Sequence, residues 1–233
     1  MPQEIKNIPY HLGIIMDGNR RWAKAKGFPS LEGHRRGYDK VKEVGRWCKN
    51  RGVKILTVWA FSTENWKRAE KEVKYLMNLL KFAFSKKEID QLHKDGIKIQ
   101  VIGQKERLSS GFQKLIEEAE ERTKDNKEGI LNLAISYGGR ADILEAIRKI
   151  NKKNIPADQI TEETVSQNLW TAGLSDPDLI IRTSGELRTS GFLTWQSAYS
   201  ELYFCKNHWP DFSEKDLDEA FAEYARRQRR FGK

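Results

Sequence analysis

Near the start of the chain, the residues His11-Leu12-Gly13-Ile14-Ile15-Met16-Asp17-Gly18-Asn19-Arg20-Arg21-Trp22 combine an apolar run with a polar turn. An apolar run of this length predicts a buried strand, and Asp17, Gly18 and Asn19 predict the turn that ends it. Open α/β sheets bind their ligands outside the carboxyl ends of the strands. A carboxylate beside two guanidinium groups at such an edge suits a metal ion and an anionic, phosphorylated ligand. The stretch therefore indicates an enzyme.

The same arrangement, an apolar run followed by polar residues, occurs three more times. The apolar runs cover residues 55–61, 130–136 and 178–181, and the polar segments that follow cover 62–68, 137–140 and 182–190. Each of these polar segments carries arginine. Because ligands of such sheets bind where the strands end, we expect the four segments to form a single pocket.

Helical stretches separate the strands. Apolar residues at helical spacing predict one long helix from 70 to 95 with a continuous apolar face, and Ser213 is expected to cap the final helix. Strands that alternate with helices predict a mainly parallel sheet covered on both faces. The length of 233 residues fits a single α/β domain over 1–233.

The composition indicates one core, a strongly charged surface and an acidic partner. The formal net charge is +9, and charged residues make up 32% of the chain. Cys48 and Cys205 lack metal-type spacing, so we expect a reducing, cytoplasmic setting. The first ten residues contain no apolar signal segment, and no run approaches the length of a membrane span.

The cation-rich segments are candidate anion sites. His34 precedes two arginines at the start of a helix, where phosphate binds well, although a surface histidine is the alternative. Arg182, Arg188 and Ser190 belong to a segment whose glycines let backbone approach a phosphate closely. Glu201 is either a buried carboxylate for a metal ion or part of an ion pair at a strand edge. The lack of a Walker A sequence disfavours a P-loop nucleotide hydrolase.

Two other functional classes compete with this interpretation. A phosphohydrolase or phosphotransferase would also need Asp17 and the arginines, but it would not need the long apolar helix face. A nucleic-acid-binding module would use the positive charge. However, the arginines follow strands that lie far apart in the chain rather than one basic helix. We therefore expect no nucleic-acid partner.

Several segments resemble the signature motifs of the cis-prenyltransferase family. The motifs are Met16-Asp17-Gly18-Asn19-Arg20-Arg21-Trp22-Ala23, Gly33-His34, Ala60-Phe61-Ser62-Thr63-Glu64-Asn65-Trp66, Tyr137-Gly138-Gly139-Arg140, Ile181-Arg182-Thr183-Ser184-Gly185-Glu186, Glu201-Leu202-Tyr203-Phe204, Trp209-Pro210-Asp211-Phe212 and Arg229-Arg230-Phe231-Gly232. They extend from the first strand almost to the last residue. The sequence has no Asp-Asp-x-x-Asp motif, which excludes the all-helical trans-type synthases as relatives.

The resemblance implies an α/β fold with a hydrophobic tunnel and a homodimeric enzyme that depends on Mg²⁺. The implied reaction condenses isopentenyl diphosphate with an allylic diphosphate, such as farnesyl or geranylgeranyl diphosphate. It yields a Z-polyprenyl diphosphate, the precursor of a carrier lipid, and releases diphosphate. The implied location is the cytoplasm, with peripheral contact with the inner face of the membrane through the lipid product.

By the same resemblance, Asp17 binds the metal and assists departure of the allylic diphosphate, while Glu201 is a second metal ligand. Asn65 matches a residue often assigned as proton acceptor. Because an amide is a poor base, we expect Asn65 to position the proton for another acceptor, such as a diphosphate oxygen. The implied allylic site comprises Gly18, Asn19, Arg20, Arg21, Trp22, Ser30, His34, Ser62, Thr63, Glu64, Trp66 and Arg68. The implied isopentenyl diphosphate site comprises Arg182, Arg188, Thr189 and Ser190, together with Arg230 and Gly232 from the other subunit.

Two residues depart from the common pattern of the family. Ser30 stands where most relatives carry an arginine directed towards the diphosphate, so Arg35 or Arg36 is expected to compensate. Gly191 replaces a common asparagine and loosens its loop. A catalytically silent partner subunit would lack Asp17 and the chemistry of 62–68, both of which this chain retains.

Product length is expected to depend on the residues that line the tunnel. The resemblance places Ala60 and Ile135 there. Ile135 is bulkier than the alanine of some long-chain relatives, which predicts a shorter product.

Overall fold

The computed structural model describes residues 7–227, and one parallel sheet forms its centre. The strands are β1 (His11–Ile15), β2 (Ile55–Ser62), β3 (Ile97–Ile102), β4 (Gly129–Tyr137), β5 (Leu179–Arg182) and β6 (Glu201–Phe204). Their order across the sheet is β3-β4-β2-β1-β5-β6, and every neighbouring pair is parallel. The predicted parallel α/β architecture is confirmed.

Helices flank the sheet. They are α1 (Asn19–Ala25), α2 (Ser30–Asn50), α3 (Glu70–Ala83), α4 (Lys86–Lys94), α5 (Ser110–Thr123), α6 (Gly139–Lys152), α7 (Glu162–Ser166) and α8 (Glu214–Arg226). In the part of the chain that the structure describes, no helix is both long enough and apolar enough to cross a membrane.

Side chains that alternate along the strands form separate cores on the two faces of the sheet. On one face, Leu12 and Ile14 of β1 pack in a cluster with Val44 of α2 and Phe221 of α8. On the other face, Ile15 packs in a cluster with Ile180, Tyr137, Phe192 and Leu193. A third cluster joins the β3 end of the sheet to α3, α4 and α5. These three clusters hold the helices against the sheet. The loops that follow the strands form its carboxyl edge.

The predicted helix 70–95 is two helices, which corrects the sequence-based expectation. The first helix ends at Ala83, Phe84 follows as a buried residue, and Ser85 takes an extended backbone before the second helix begins. Phe84 packs edge-on against Phe112 of α5 at 5.5 Å between ring centroids. Because the Phe84 side chain turns into the core, the first helix ends there, and the extended backbone at Ser85 separates it from the second helix.

The predicted cap of the last helix is confirmed. The Ser213 hydroxyl accepts a hydrogen bond from the Asp216 backbone N–H at 3.2 Å, and the Asp216 carboxylate accepts from the Ser213 N–H at 2.7 Å. This reciprocal arrangement is a capping box.

Candidate active site

The carboxyl ends of four neighbouring strands bring the predicted polar segments together. β4, β2, β1 and β5 are adjacent in the sheet, and all run in the same direction. The loops that follow them therefore meet at one edge. The four segments therefore meet at this edge, and the single pocket they are expected to form stays a prediction.

Asp17 lies at the centre of this edge, between two arginines. Its Oδ2 accepts a hydrogen bond from Arg182 Nη2 at 2.8 Å, and its Oδ1 lies 3.1 Å from Arg21 Nη2. Partial burial of the carboxyl opposes ionisation, but the Arg182 and Arg21 guanidinium groups outweigh it and hold the pKa of Asp17 below its ordinary value. Asp17 is therefore a carboxylate at neutral pH.

The backbone at Asp17 is fixed by partners on other segments. The Thr183 hydroxyl lies 2.9 Å from the Asp17 N–H and 2.7 Å from its carbonyl oxygen, and the Trp209 N–H donates to the same carbonyl. Gly18 follows with φ +101°, and a Cβ there would lie 2.5 Å from Ser184 Oγ. Only glycine fits this position without strain.

A second group of cations surrounds a carboxylate that the sequence did not single out. Glu72, in the first turn of α3, lies 2.8 Å from Arg68, 3.2 Å from His34 Nε2 and 3.6 Å from Arg20. Burial lowers the pKa of His34 despite the nearby carboxylate, so His34 is neutral near pH 7. Arg68 precedes α3 and has an extended backbone, so the pairing with Glu72 arises from the turn that leads into the helix.

The third group joins the segment after β5 to the loop after β1. Arg182, which is 5% exposed, donates to the Arg188 carbonyl at 2.6 Å and to Ser190 Oγ at 2.8 Å. Glu186 bridges Arg188 at 2.5 Å and Arg21 at 2.6 Å. The predicted residues Arg182, Arg188 and Ser190 are thus neighbours, and Glu186 links them to the Asp17 loop.

The segment 62–68 forms a tight turn held by its own side chains. The Asn65 side-chain oxygen accepts a hydrogen bond from the Ser62 N–H at 3.1 Å, and the Thr63 hydroxyl donates to Glu64 at 3.0 Å. Trp66 donates from its indole to Ser136 Oγ at 2.9 Å. The side-chain amide of Asn65 therefore caps this turn.

Other predicted substrate residues lie at or beside this edge. Trp22 is buried, and its indole donates to Asp211 at 2.7 Å. Ser30 is exposed at the first position of α2, and Thr189 lies next to Ser190 in the loop after β5. Arg230 and Gly232 lie outside the described residues.

Arg35 and Arg36, which are expected to compensate for Ser30, lie on α2. Both bind Glu32, at 2.7 Å and 2.9 Å, and Arg35 also contacts Asp39. The other arginines proposed for the diphosphate sites are likewise paired with carboxylates. The compensation for Ser30 therefore stays a prediction.

Glu201 lies away from Asp17 within one chain. The strand register places Glu201 opposite Leu179, whereas Arg182 is level with Phe204. Three residues of strand, about 10 Å, therefore separate Glu201 from the level of Arg182. Glu201 instead accepts a hydrogen bond from Arg227 Nη1 at 2.8 Å, which is the strand-edge ion pair that the sequence left open.

An apolar cavity of about 670 Å³ begins beside the Asp17 loop and runs between α2, α3 and the sheet. Asn19 and His34 stand at the carboxyl edge, and Ile97 and Gly129, the first residues of β3 and β4, stand at the other end. The walls include Val41, Leu56, Val58, Ala60, Leu76, Leu79, Leu80, Ala83, Leu131 and Leu133. Between Leu56 and Ala60 alone the strand rises about 13 Å.

Two residues were predicted to line the tunnel, and one of them, Ala60, lines the cavity. Ile135 is fully buried in the cluster that contains Phe61 and Leu76 and is absent from the cavity wall of the described chain. The register between β2 and β4 shifts between Trp59 and Phe61. Phe61, which follows the shift, is buried in the same cluster as Ile135. The expected effect of Ile135 on product length therefore loses its structural basis.

The structure is that of an α/β protein whose sheet has a cation-rich carboxyl edge beside a long apolar cavity. Residues 15–232 match the family model described as putative undecaprenyl diphosphate synthase. The chain belongs to this family of prenyltransferases, so the predicted family, fold and reaction class, cis-prenyl chain elongation, are confirmed.

The individual relatives agree. An isoprenyl transferase of Lactococcus lactis is 49% identical, with 97% of this chain and 93% of the relative covered. An isoprenyl transferase of Thermotoga maritima is 46% identical, with 97% of both covered. The structure of lavandulyl diphosphate synthase from Lavandula x intermedia in complex with dimethylallyl diphosphate has a TM-score of 0.92 at 38% identity, covering 99% of this chain and 100% of that one.

Proposed function

We propose that the chain condenses isopentenyl diphosphate with an allylic diphosphate and so builds a Z-polyprenyl diphosphate, the precursor of a carrier lipid. The observation that carries the proposal is the continuity between the arginine-rich edge at Asp17 and the apolar cavity behind Asn19 and His34. A charged head group fits the first and a growing hydrocarbon tail fits the second. A phosphohydrolase would not need the cavity.

We assign the two diphosphates to the two arginine groups. Arg20, Arg68 and His34 stand beside the cavity mouth, which suits the allylic diphosphate because its tail must enter the cavity. Arg182, Arg188 and Ser190 are held together by the loop after β5 and suit isopentenyl diphosphate. Bidentate guanidinium groups match the oxygens of a diphosphate.

The reaction breaks the allylic C–O bond, forms a carbon–carbon bond to isopentenyl diphosphate and releases a proton. Negative charge develops on the departing diphosphate, and fixed arginines stabilise that charge without reorganisation. In the proposed site Arg21 is the nearest cation to Asp17 on the allylic side. Asn65, whose side-chain oxygen accepts a hydrogen bond from the Ser62 N–H, would orient the departing proton towards a diphosphate oxygen.

The residues present fit Mg²⁺ as the implied metal. No group of three acidic, histidine or cysteine side chains within 7–227 forms a ready cation site. Mg²⁺, however, is commonly held by one or two carboxylates together with substrate phosphates and water, so the ionised Asp17 suffices. When bound, Mg²⁺ supplies Lewis-acid stabilisation of phosphate charge. Glu201 would share such an ion only from a second copy of the chain, as part of the proposed homodimer.

The decisive experiment incubates the purified protein with Mg²⁺, labelled isopentenyl diphosphate and several allylic starters, then measures the product. We expect Z-polyprenyl diphosphates and release of diphosphate in proportion to the isopentenyl units added. Hydrolysis of the starters to monophosphate or alcohol, without chain growth, would refute the proposal and support the phosphohydrolase alternative.

A further inference from the structure

The outer face of α3 carries a continuous row of cations. Lys71, Lys74 and Lys81 share this face with Asn78 and Phe82, because residues three or four apart on a helix point the same way. Glu70 is the exposed acid at the start of the helix. The opposite side of α3, with Leu76 and Leu80, lines the apolar cavity.

The row continues into the next helix. Lys86 and Lys87, in the first turn of α4, are exposed. Within the described chain, no ion pair involves the side chains of Lys71, Lys74, Lys81, Lys86 or Lys87. In contrast, Lys42 of α2 is paired with Glu88 at 3.1 Å, and the arginines of the active site are all paired with carboxylates. The five lysines therefore leave their charge available to an external anion.

A groove of about 360 Å³ opens beside this row. It is lined by Trp66, Lys74, Met77, Lys81, Arg107 and Phe112, among others. The Arg107 guanidinium lies over the Trp66 ring at 5.0 Å from the centroid. Cations on the rim and aromatic and thioether groups in the floor suit the phosphate head and upper acyl segment of a lipid.

Phe82 adds an exposed apolar anchor to the row. Its side chain is 56% exposed and touches Tyr38 of α2 edge-on at 5.9 Å between centroids. Lysines surrounding an exposed aromatic residue are the composition of surfaces that bind at the boundary of anionic bilayers. A second copy of this chain would bring like charges together on the same face.

We propose that the outer face of α3 and the first turn of α4 dock the protein on an anionic phospholipid surface. This docking extends the proposed function. It depends on that function in one respect: a polyprenyl product must pass from the cavity into a bilayer. The same helix would then contact lipid on one side and the growing product on the other.

The test compares two triple variants by sedimentation with vesicles, without substrate. One carries Lys71→Gln, Lys74→Gln and Lys81→Gln. The control carries Lys152→Gln, Lys206→Gln and Lys215→Gln, which removes the same charge from exposed positions remote from α3. The vesicles contain phosphatidylglycerol and phosphatidylcholine in equal parts, or phosphatidylcholine alone, and circular dichroism verifies the fold of each variant.

We expect the unchanged protein to bind the anionic vesicles, to bind the neutral ones weakly, and to dissociate as salt is raised. Partitioning should fall about fivefold for each α3 lysine removed, whereas the control triple variant should lose much less. Phe82→Ser should weaken binding without changing its salt dependence.

Equal loss in the two triple variants would overturn the proposal, since net charge alone would then account for binding. Lack of vesicle binding by the unchanged protein, or salt-sensitive binding to duplex DNA in its place, would also overturn it. A protein that docks through these lysines but forms no polyprenyl product would refute the proposed reaction and leave the docking surface standing.

Discussion

At the scale of single residues, Asp17 connects Arg182 of β5 to Arg21 of α1. Its two carboxylate oxygens face Arg182 and Arg21, and Arg21 continues through Glu186 to Arg188. Each cation of the proposed diphosphate sites is therefore held by a carboxylate of the chain before substrate arrives. Such pairing keeps long side chains in place, and the substrate must share or displace those carboxylates.

Replacing Asp17 by alanine should reduce kcat by at least about a thousandfold, because it removes the proposed anchor for metal-assisted departure of diphosphate. The fold should persist, since Thr183 and Trp209 hold the backbone at this position. Steady-state kinetics and circular dichroism test both parts. Asp39→Asn on the outside of α2 is the control, and near-normal turnover by folded Asp17→Ala protein would exclude the assigned role.

Arg188→Ala should raise the KM for isopentenyl diphosphate more than the KM for the allylic substrate, because the loop after β5 is assigned to the former. The measurement varies each substrate in turn at saturating levels of the other. Arg122→Ala is a matched loss of one exposed guanidinium, which pairs with Asp90 and has no assigned role in the site, and it should change neither constant. A rise confined to the allylic KM would reverse our division of the two sites.

At the scale of elements, a buried polar row crosses three strands. His11 of β1 lies 2.7 Å from Thr57 of β2, which accepts from Asn132 of β4 at 3.0 Å, and the other nitrogen of His11 lies 2.6 Å from the Ser175 carbonyl. The Ser175 contact requires a proton on Nδ1, so Nε2 accepts from Thr57. Burial lowers the pKa of His11 to about 4, against the opposing effect of the Ser175 hydrogen bond.

Stability should therefore fall as the pH drops from 6.5 towards 4, the interval between the ordinary and the folded pKa of His11. In this interval the unfolded chain binds the proton and the folded chain does not, which costs the fold about 3 kcal/mol. Urea unfolding of the wild type and of His11→Gln at several pH values measures the difference. Parallel pH profiles for the two proteins would show that His11 is not responsible.

We expect the cavity wall on β2 to limit the length of the product. Ala60→Leu places a larger side chain into the cavity, so we expect shorter polyprenyl products from the same starter. Chromatography of the dephosphorylated products measures chain length. Ile135→Val is the control: it changes a buried residue outside the cavity wall and should leave the length distribution unchanged. Longer products from Ile135→Val would restore the sequence-based expectation.

At the scale of the whole molecule, the exposed apolar side chains are unevenly placed. Leu144 and Ile147, both 53% exposed, stand one turn apart on α6. Contiguous exposed apolar residues mark candidate contact surfaces. They give the proposed homodimer a candidate contact on the opposite side of the sheet from the cavity.

We expect Ile147→Asp to shift the proposed dimer towards monomer, because a buried charge without a partner is costly at an interface. Light scattering coupled to size-exclusion chromatography measures the mass. Ile160→Asp, at another exposed isoleucine, is the matched control. A wild-type protein that is monomeric at all concentrations would contradict the homodimer, and an unchanged dimer in Ile147→Asp would move the contact elsewhere.

Patterns in the sequence were enough to predict the parallel α/β fold, the family and the chemistry of the strand ends. Apolar runs that stop at Asp17, Ser62, Tyr137 and Arg182 are local patterns, and parallel strands bring their ends to one edge whatever the intervening helices do. Which groups face one another depends on the tertiary structure. Glu72 joins Arg20 and His34 because α3 packs against α2, which also packs against α1, and strand register separates Glu201 from Asp17. The break at Ser85 likewise depends on the fit of Phe84 against Phe112. Register and packing arise from contacts between distant residues, which a local pattern does not contain.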